Sequence, residues 1–241
     1  MKITFVEHSC FTVSENNCML VFDYYRNELP KAEPGQQIYF FASHTHSDHF
    51  NPDIFKFAGQ NVHYILSYDI EDKIKHRDIL GRYPDAKENV IFMRYDEELI
   101  LTLPNNLKLI VKTVKSTDRG VAFLVHLGEK CVFHAGDLNL WCWEKVGKAK
   151  NNDMRARFER ELEKLKKESM DAAFLPLDHR METYQFTGFD MYCRNLSIEN
   201  IFPMHMWEHY ELIDEIKKEE FASNYQKRIR NVNKPGKIWE I

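Results

Sequence analysis

The sequence predicts an α/β fold, on three observations. Strand-like alternation opens the chain, apolar runs of strand length recur throughout, and several of those runs end in polar His/Asp clusters with helical-period segments between them. Ile3, Phe5, Phe11, Val13, Leu20 and Phe22 alternate in three short strands separated by polar turns such as Glu15-Asn16-Asn17, which reads as an antiparallel meander. A loop over 31–37, carrying Pro34 and Gly35, precedes a compact apolar run over 38–42 of the kind buried on both faces of a sheet.

The remaining elements follow from the same rules. Asn51 as N-cap and Pro52 at the first helical position start a helix whose apolar face is Ile54, Phe55 and Ala58 and which Gly59 ends. A strand is expected over 62–66, a helix over 68–80, and strands over 90–93, 99–103 and 107–114. Gly128-Glu129 turns a hairpin between strands 121–127 and 130–133, and the second strand runs into His134-Ala135-Gly136-Asp137. Met154, Phe158, Leu162 and Leu165 mark an amphipathic surface helix. Buried strands over 172–175 and 200–202 end in Pro176-Leu177-Asp178-His179 and Pro203-Met204-His205, Leu212, Ile213 and Ile216 suggest a further helix, and 238–241 a closing strand.

A length of 241 residues fits one large α/β domain over 1–241 with a core that needs no disulfides. A formal charge of −4 provides no overall positive field, which disfavours charge-driven capture of nucleic acid. The apolar runs are far short of a membrane span, and the N-terminus lacks a signal-peptide core, so no membrane partner is expected. The five cysteines are odd in number and scattered, with no CxxC pair; this argues against a disulfide framework or thiolate zinc site and for a reduced, cytoplasmic setting. Oligomeric state is not legible.

The densest chemistry is His44-Thr45-His46-Ser47-Asp48-His49, four potential metal donors in six residues. Zinc-type ions are held by neutral imidazoles and carboxylates, and a site that activates water needs several of them converging with an open position. Asp137 and His205 each follow an expected buried strand, and strand ends of an α/β fold are where donors distant in sequence meet.

At this point the chain resembles the metallo-β-lactamase superfamily, through MKITFVEHSCF, VFDYY, HTHSDHF, VFHAGDLN and FPMHMW, which together span nearly its whole length. The resemblance implies a four-layer αββα sandwich with His44 and His46 on one metal, Asp48, His49 and His205 on a second, Asp137 bridging, and Asp23 supporting the motif loop. The EHSCF and HAGD spellings look like the branch that includes ascorbate-6-phosphate lactonase. One departure stands out: the family's third histidine for the first metal falls in the loop over 113–120, which contains no His. Asp118 or a hydroxyl of Ser116 or Thr117 fills the gap, water fills it, or the first site stays weak or empty; Lys115 there would repel a cation unless deprotonated.

The chemistry so implied is hydrolysis of a small, anionic substrate (a lactone, ester or phosphodiester) by a metal-activated water, with zinc as the cofactor, one or two ions, and manganese or iron as alternatives. Asp48 is the candidate for orienting the water, and His179, ahead of Asp178 and His209, for the general acid. His8 and His134 are candidates for hydrogen-bonding support, Lys115, Arg119 and Arg180 for meeting an anion, and Trp141, Trp143 and Trp207 for walling a pocket. Three rivals are a di-iron oxidoreductase, a nuclease, and a metal-poor pseudoenzyme that binds a ligand or regulates. His46 stands where the first carries Glu, the second lacks a basic stripe, and the third rests on the missing histidine alone.

Overall fold

The computed structural model describes residues 1–104 and 106–241, which form two compact units, one of 1–94 with 234–241 and the other of 95–233. The first unit opens with the expected meander: β1 (Lys2–Glu7), β2 (Cys10–Glu15) and β3 (Cys18–Phe22) pair antiparallel. The chain then crosses over repeatedly, adding β4 (Gln37–Ala42), β5 (Val62–Ser67) and β6 (Val90–Met93) in parallel, while the closing strand Ile238–Glu240 pairs with β1 at the opposite edge.

Alternation along the central strands sorts side chains onto two faces. Met19 and Val21, Phe40 and Ala42, and Val62, Tyr64 and Leu66 form one core cluster with Ile54, Phe55, Ile70 and Ile74 from the crossover helices. Leu20, Phe22, Phe41 and Ile65 alternate with them and are buried as well, so the expectation of a sheet covered on both faces is met.

Two crossover helices differ from expectation in local geometry. Asn51 caps as expected, its Oδ1 accepting from Asp53 N at 2.9 Å, but the segment Pro52–Phe57 is a 3-10 helix that ends when Ala58 turns extended. The helix expected over 68–80 is α1 (Tyr68–His76), stopped by Asp78 in the left-handed region at φ 44°. Asp78 N–H returns to Lys75 O at 3.2 Å and Ile79 N–H to Ile74 O at 3.1 Å. These are the two bonds of a Schellman motif, with Asp in the place usually held by glycine.

The second unit carries an antiparallel run of β7 (Glu98–Thr102), β8 (Lys108–Lys115), β9 (Val121–Leu127) and β10 (Lys130–His134). After α2 (Lys148–Leu165), β11 (Ser169–Pro176) pairs parallel with β10; α3 (Thr187–Asn195) then leads to β12 (Ser197–Met204), parallel to β11, and α4 (Leu212–Lys218) follows. The sequence rules pass over α3, although Phe189, Tyr192 and Cys193 have helical spacing and are its buried face. Gly188 obscures it: glycine costs about 1 kcal/mol in a helix, yet a Cβ there would lie 2.1 Å from Asn139 Oδ1.

Both units are thus α/β, each with a sheet and helices. Among the described residues no helix is long and apolar enough to cross a membrane.

Candidate metal centre

In the first unit the site is organised by Asp23, which follows β3 in the left-handed region at φ 46°. Its carboxylate is wholly buried, and it accepts from Ser43 N at 2.7 Å, Ser43 Oγ at 2.7 Å and His49 Nδ1 at 2.6 Å. Because the Ser43 hydroxyl donates to Asp23, its oxygen accepts from His44 Nδ1, 3.0 Å away. The hydrogen-bond network therefore assigns the proton of both His44 and His49 to Nδ1 and leaves the lone pair on Nε2. Asp23 accordingly has the supporting part that the resemblance implies.

The rings gather closely, with centroids 4.5 Å apart for His44 and His46 and 4.2 Å for His44 and His49. Asp48 Oδ2 lies 3.5 Å from His49 Nε2 and 3.3 Å from His8 Nε2. The peptide between His44 and His46 is gripped at both ends: Thr45 N–H donates to Asp69 Oδ2 at 3.1 Å, and Lys73 Nζ donates to Thr45 O at 2.6 Å. Sequence reading missed this pair. Its only signal is the i, i+4 spacing of Asp69 and Lys73 on the helix after β5, a spacing also common on solvated faces.

In the second unit His205, again left-handed at φ 62°, follows β12. Its Nδ1 donates to Asp178 Oδ2 at 3.0 Å and its Nε2 lies 3.4 Å from Asp137 Oδ1. Asp178 also accepts from Arg180 Nε at 2.9 and 3.0 Å and from Arg180 Nη2 at 2.5 Å. Burial pushes the Asp178 carboxyl up, but the bonds from His205 and Arg180 outweigh it and hold the group well below the usual carboxylate range. Asp178 thus accepts from both His205 and Arg180 and orients the His205 ring.

Asp137 is placed by the turn after β10. His134 Nδ1 accepts from Gly136 N at 3.2 Å, which gives His134 the supporting hydrogen bond expected of it, and Trp141 Nε1 donates to Asp137 O at 2.8 Å. In the loop lacking the third histidine, Thr117 Oγ1 donates to Asn139 O at 2.6 Å and accepts from Asn139 N at 3.0 Å, while Ser116 Oγ accepts from Asp118 N at 3.1 Å. Both hydroxyls are engaged in holding the loop. The Asp118 carboxylate, in contrast, is exposed, with an oxygen within 4.8 Å of one of Asp137. Lys115 stacks over Tyr95 at 4.9 Å, and His126 is an ordinary strand residue 3.4 Å from Glu168.

Around His205 the surface is aromatic. Trp141 and Trp207 present edges to its ring at 5.7 and 5.6 Å, Trp143 stacks on Trp141 at 6.5 Å, and Arg180 lies 4.9 Å over Trp207. The His179 and His209 rings lie with centroids 3.8 Å apart and planes tilted by 35°, and His209 Nδ1 meets Glu211 at 2.8 Å. Burial and the neighbouring His209 lower the His179 pKa from its ordinary value.

The donor set fits a zinc-type ion. Two donors about 2.1 Å from one ion at a tetrahedral angle lie about 3.4 Å apart; the contacts of Asp48 with His8 and His49, and of His205 with Asp137, are 3.3, 3.5 and 3.4 Å. Charge-assisted N–H···O bonds would be shorter, about 2.7–2.9 Å. In His44, His49 and His205 the other ring nitrogen is held by a hydroxyl or carboxylate, the pattern that orients ligating histidines.

Fold and donor set define the class: an α/β protein with imidazoles and carboxylates of metal-ligand type at its strand ends. The chain belongs to the beta-lactamase superfamily, whose domain model matches residues 2–150. It is 28% identical over 153 residues to a UPF0173 metal-dependent hydrolase of Desulforamulus reducens; the match covers 58% of this chain and 64% of that relative, a little under two thirds of its length. The fold is similar to that of Igni18, a metallo hydrolase of the archaeon Ignicoccus hospitalis, with TM-score 0.68 and 16% identity over 100% of this chain and 98% of the other. A protein of Parabacteroides distasonis provisionally assigned as a metal-dependent hydrolase has TM-score 0.59 and 17% identity over 95% and 90% of the two chains.

Proposed function

We propose that this protein is a metal-dependent hydrolase of a small, anionic substrate, a lactone, ester or phosphodiester, with residues 1–241 working as one domain. The residues that would hold one ion are His44, His46 and Asp137, with Asp118 in place of the third imidazole, and those that would hold a second are Asp48, His49 and His205, with Asp137 serving both as the resemblance implies. The observation that carries the reading is the common state of His44, His49 and His205, each with Nδ1 held by a hydroxyl or carboxylate, which puts the lone pair on Nε2. Zinc suits this imidazole and carboxylate set, and manganese and iron accept it too.

A bound divalent ion supplies Lewis acidity, lowering the pKa of a water toward neutrality and polarising the substrate's carbonyl or phosphoryl oxygen. The chain's own residues do the rest. Asp48 orients the attacking water and accepts its proton. His179 donates to the leaving group; its lowered pKa makes it a ready donor and confines that role to pH below the ordinary imidazole value. Arg180, held over Trp207, meets the substrate's anionic group, and Trp141 and Trp207 shield the reaction from bulk water. The five free, buried cysteines favour a reducing, cytoplasmic setting.

The test is turnover of generic esters, lactones and phosphodiesters by zinc-loaded protein. Chelation should cut turnover at least about 100-fold, and added zinc should restore it. Tight binding of a small anion with no turnover in any metal-loaded form would instead make the protein a ligand-binding pseudoenzyme.

A further inference from the structure

His8 sits at a strained turn position beside Asp48. Glu7 pairs with Cys10 across the β1–β2 hairpin, so His8 and Ser9 form a two-residue turn, and His8 takes its first position at φ 52°. Glycine normally supplies a positive φ at that position, because a Cβ is strained there. A histidine instead occupies it, with its side chain 3% exposed and Nε2 3.3 Å from Asp48 Oδ2. On the other side of Asp48, His49 Nε2 lies 3.5 Å from the same oxygen. The two rings stand edge to face with centroids 5.9 Å apart, so they converge on one carboxylate without stacking.

We propose that His8 is itself a metal ligand, completing with Asp48 and His49 a three-donor site that the first unit supplies alone. The donor atoms of these three residues all lie within 4.8 Å of one another. Their separations match the edges of a coordination polyhedron, and they exceed the length of a charge-assisted hydrogen bond between imidazolium and carboxylate. Two imidazoles and a carboxylate are also a known ligand set for catalytic zinc. The inference rests on the metal-dependent reading above and extends it, because it makes this ion the more fully ligated of the two and the last to leave. It also accounts for the EHSCF run, whose tight turn delivers an imidazole to the ion.

The experiment is metal binding by the full chain, followed by competition with a chromophoric chelator, by the visible spectrum of the cobalt-loaded protein, and by counting imidazoles at the zinc absorption edge. His8→Gln places an amide N–H near the Nε2 position, preserving a hydrogen bond to Asp48 while removing an imidazole. His8→Asn tolerates the left-handed backbone and serves as the folding control, with the metal-free melting temperature as its readout. Both variants should lose more than about 100-fold in affinity for the tighter ion, beyond the 10- to 100-fold typical of an orienting partner. The cobalt spectrum should shift, and the imidazole count should fall by one. Wild-type affinity within about 10-fold and an unchanged spectrum in His8→Gln would overturn the proposal, leaving His8 as a hydrogen-bond partner of Asp48 and the hydrolase reading intact. A wild-type chain that binds no metal at all would overturn both.

Discussion

Replacing Asp23 with Ala lowers stability by about 3–5 kcal/mol, the cost of removing one partner from a buried charged network. Three donors lose their common acceptor at once: Ser43 N, Ser43 Oγ and His49 Nδ1. Asp23→Asn preserves the shape but not the proton positions. An amide NH₂ facing His49 donates to Nδ1, which moves the imidazole proton to Nε2 and removes the lone pair that would ligate. Chemical denaturation should show the loss in the Ala variant. Metal titration of the Asn variant should show an affinity about 10- to 100-fold lower in a protein that is still folded. An Asn variant with wild-type affinity would mean that the proton on His49 does not govern binding.

The second large effect is at Asp137. In the proposed centre its carboxylate is shared between the ions, and it lies 3.4 Å from His205 Nε2. Asp137→Asn keeps the size and the turn held by Trp141, and it removes the charge. Its kcat/KM should fall by roughly 10³-fold, the upper range for losing one preorganised electrostatic element, or about 4 kcal/mol of transition-state stabilisation. The melting temperature of the metal-free form should change little, because the variant keeps the side chain's size and the bond from Trp141 Nε1 to the residue-137 carbonyl. Full activity in this variant would remove Asp137 from the site.

What was legible in the sequence was local. The spacing in His44 to His49 is a dense enough coincidence to read as a metal motif, and the strand-plus-polar pattern placed Asp137, Asp178 and His205 at strand ends, where the structure has them. The central strands were likewise legible, because burial on both faces leaves continuous apolar runs in β3, β4 and β9, while the alternation of β8 marks a half-buried strand. The supporting contacts were not. Asp69 and Lys73 reach Thr45 across 24 and 28 residues, and nothing local distinguishes them from surface charges. Asp178 was read as an acid candidate because one of its partners, His205, is brought to it by the fold from 27 residues away. The choice among Ser116, Thr117 and Asp118 was open for the same reason, since hydroxyl engagement with Asn139 and Asp118 is a matter of loop geometry. α3 was hidden by Gly188, whose role is close approach to Asn139.

Anomalous diffraction at the metal edge, on crystals of the zinc-loaded protein, bears most directly on the account. It predicts two peaks, one within about 2.0–2.2 Å of His44 and His46 Nε2 and the other at the same distance from His49 and His205 Nε2, with an Asp137 oxygen on each. Peaks confined to surface histidines such as His76 or His209, with none beside His44 or His49, would contradict it.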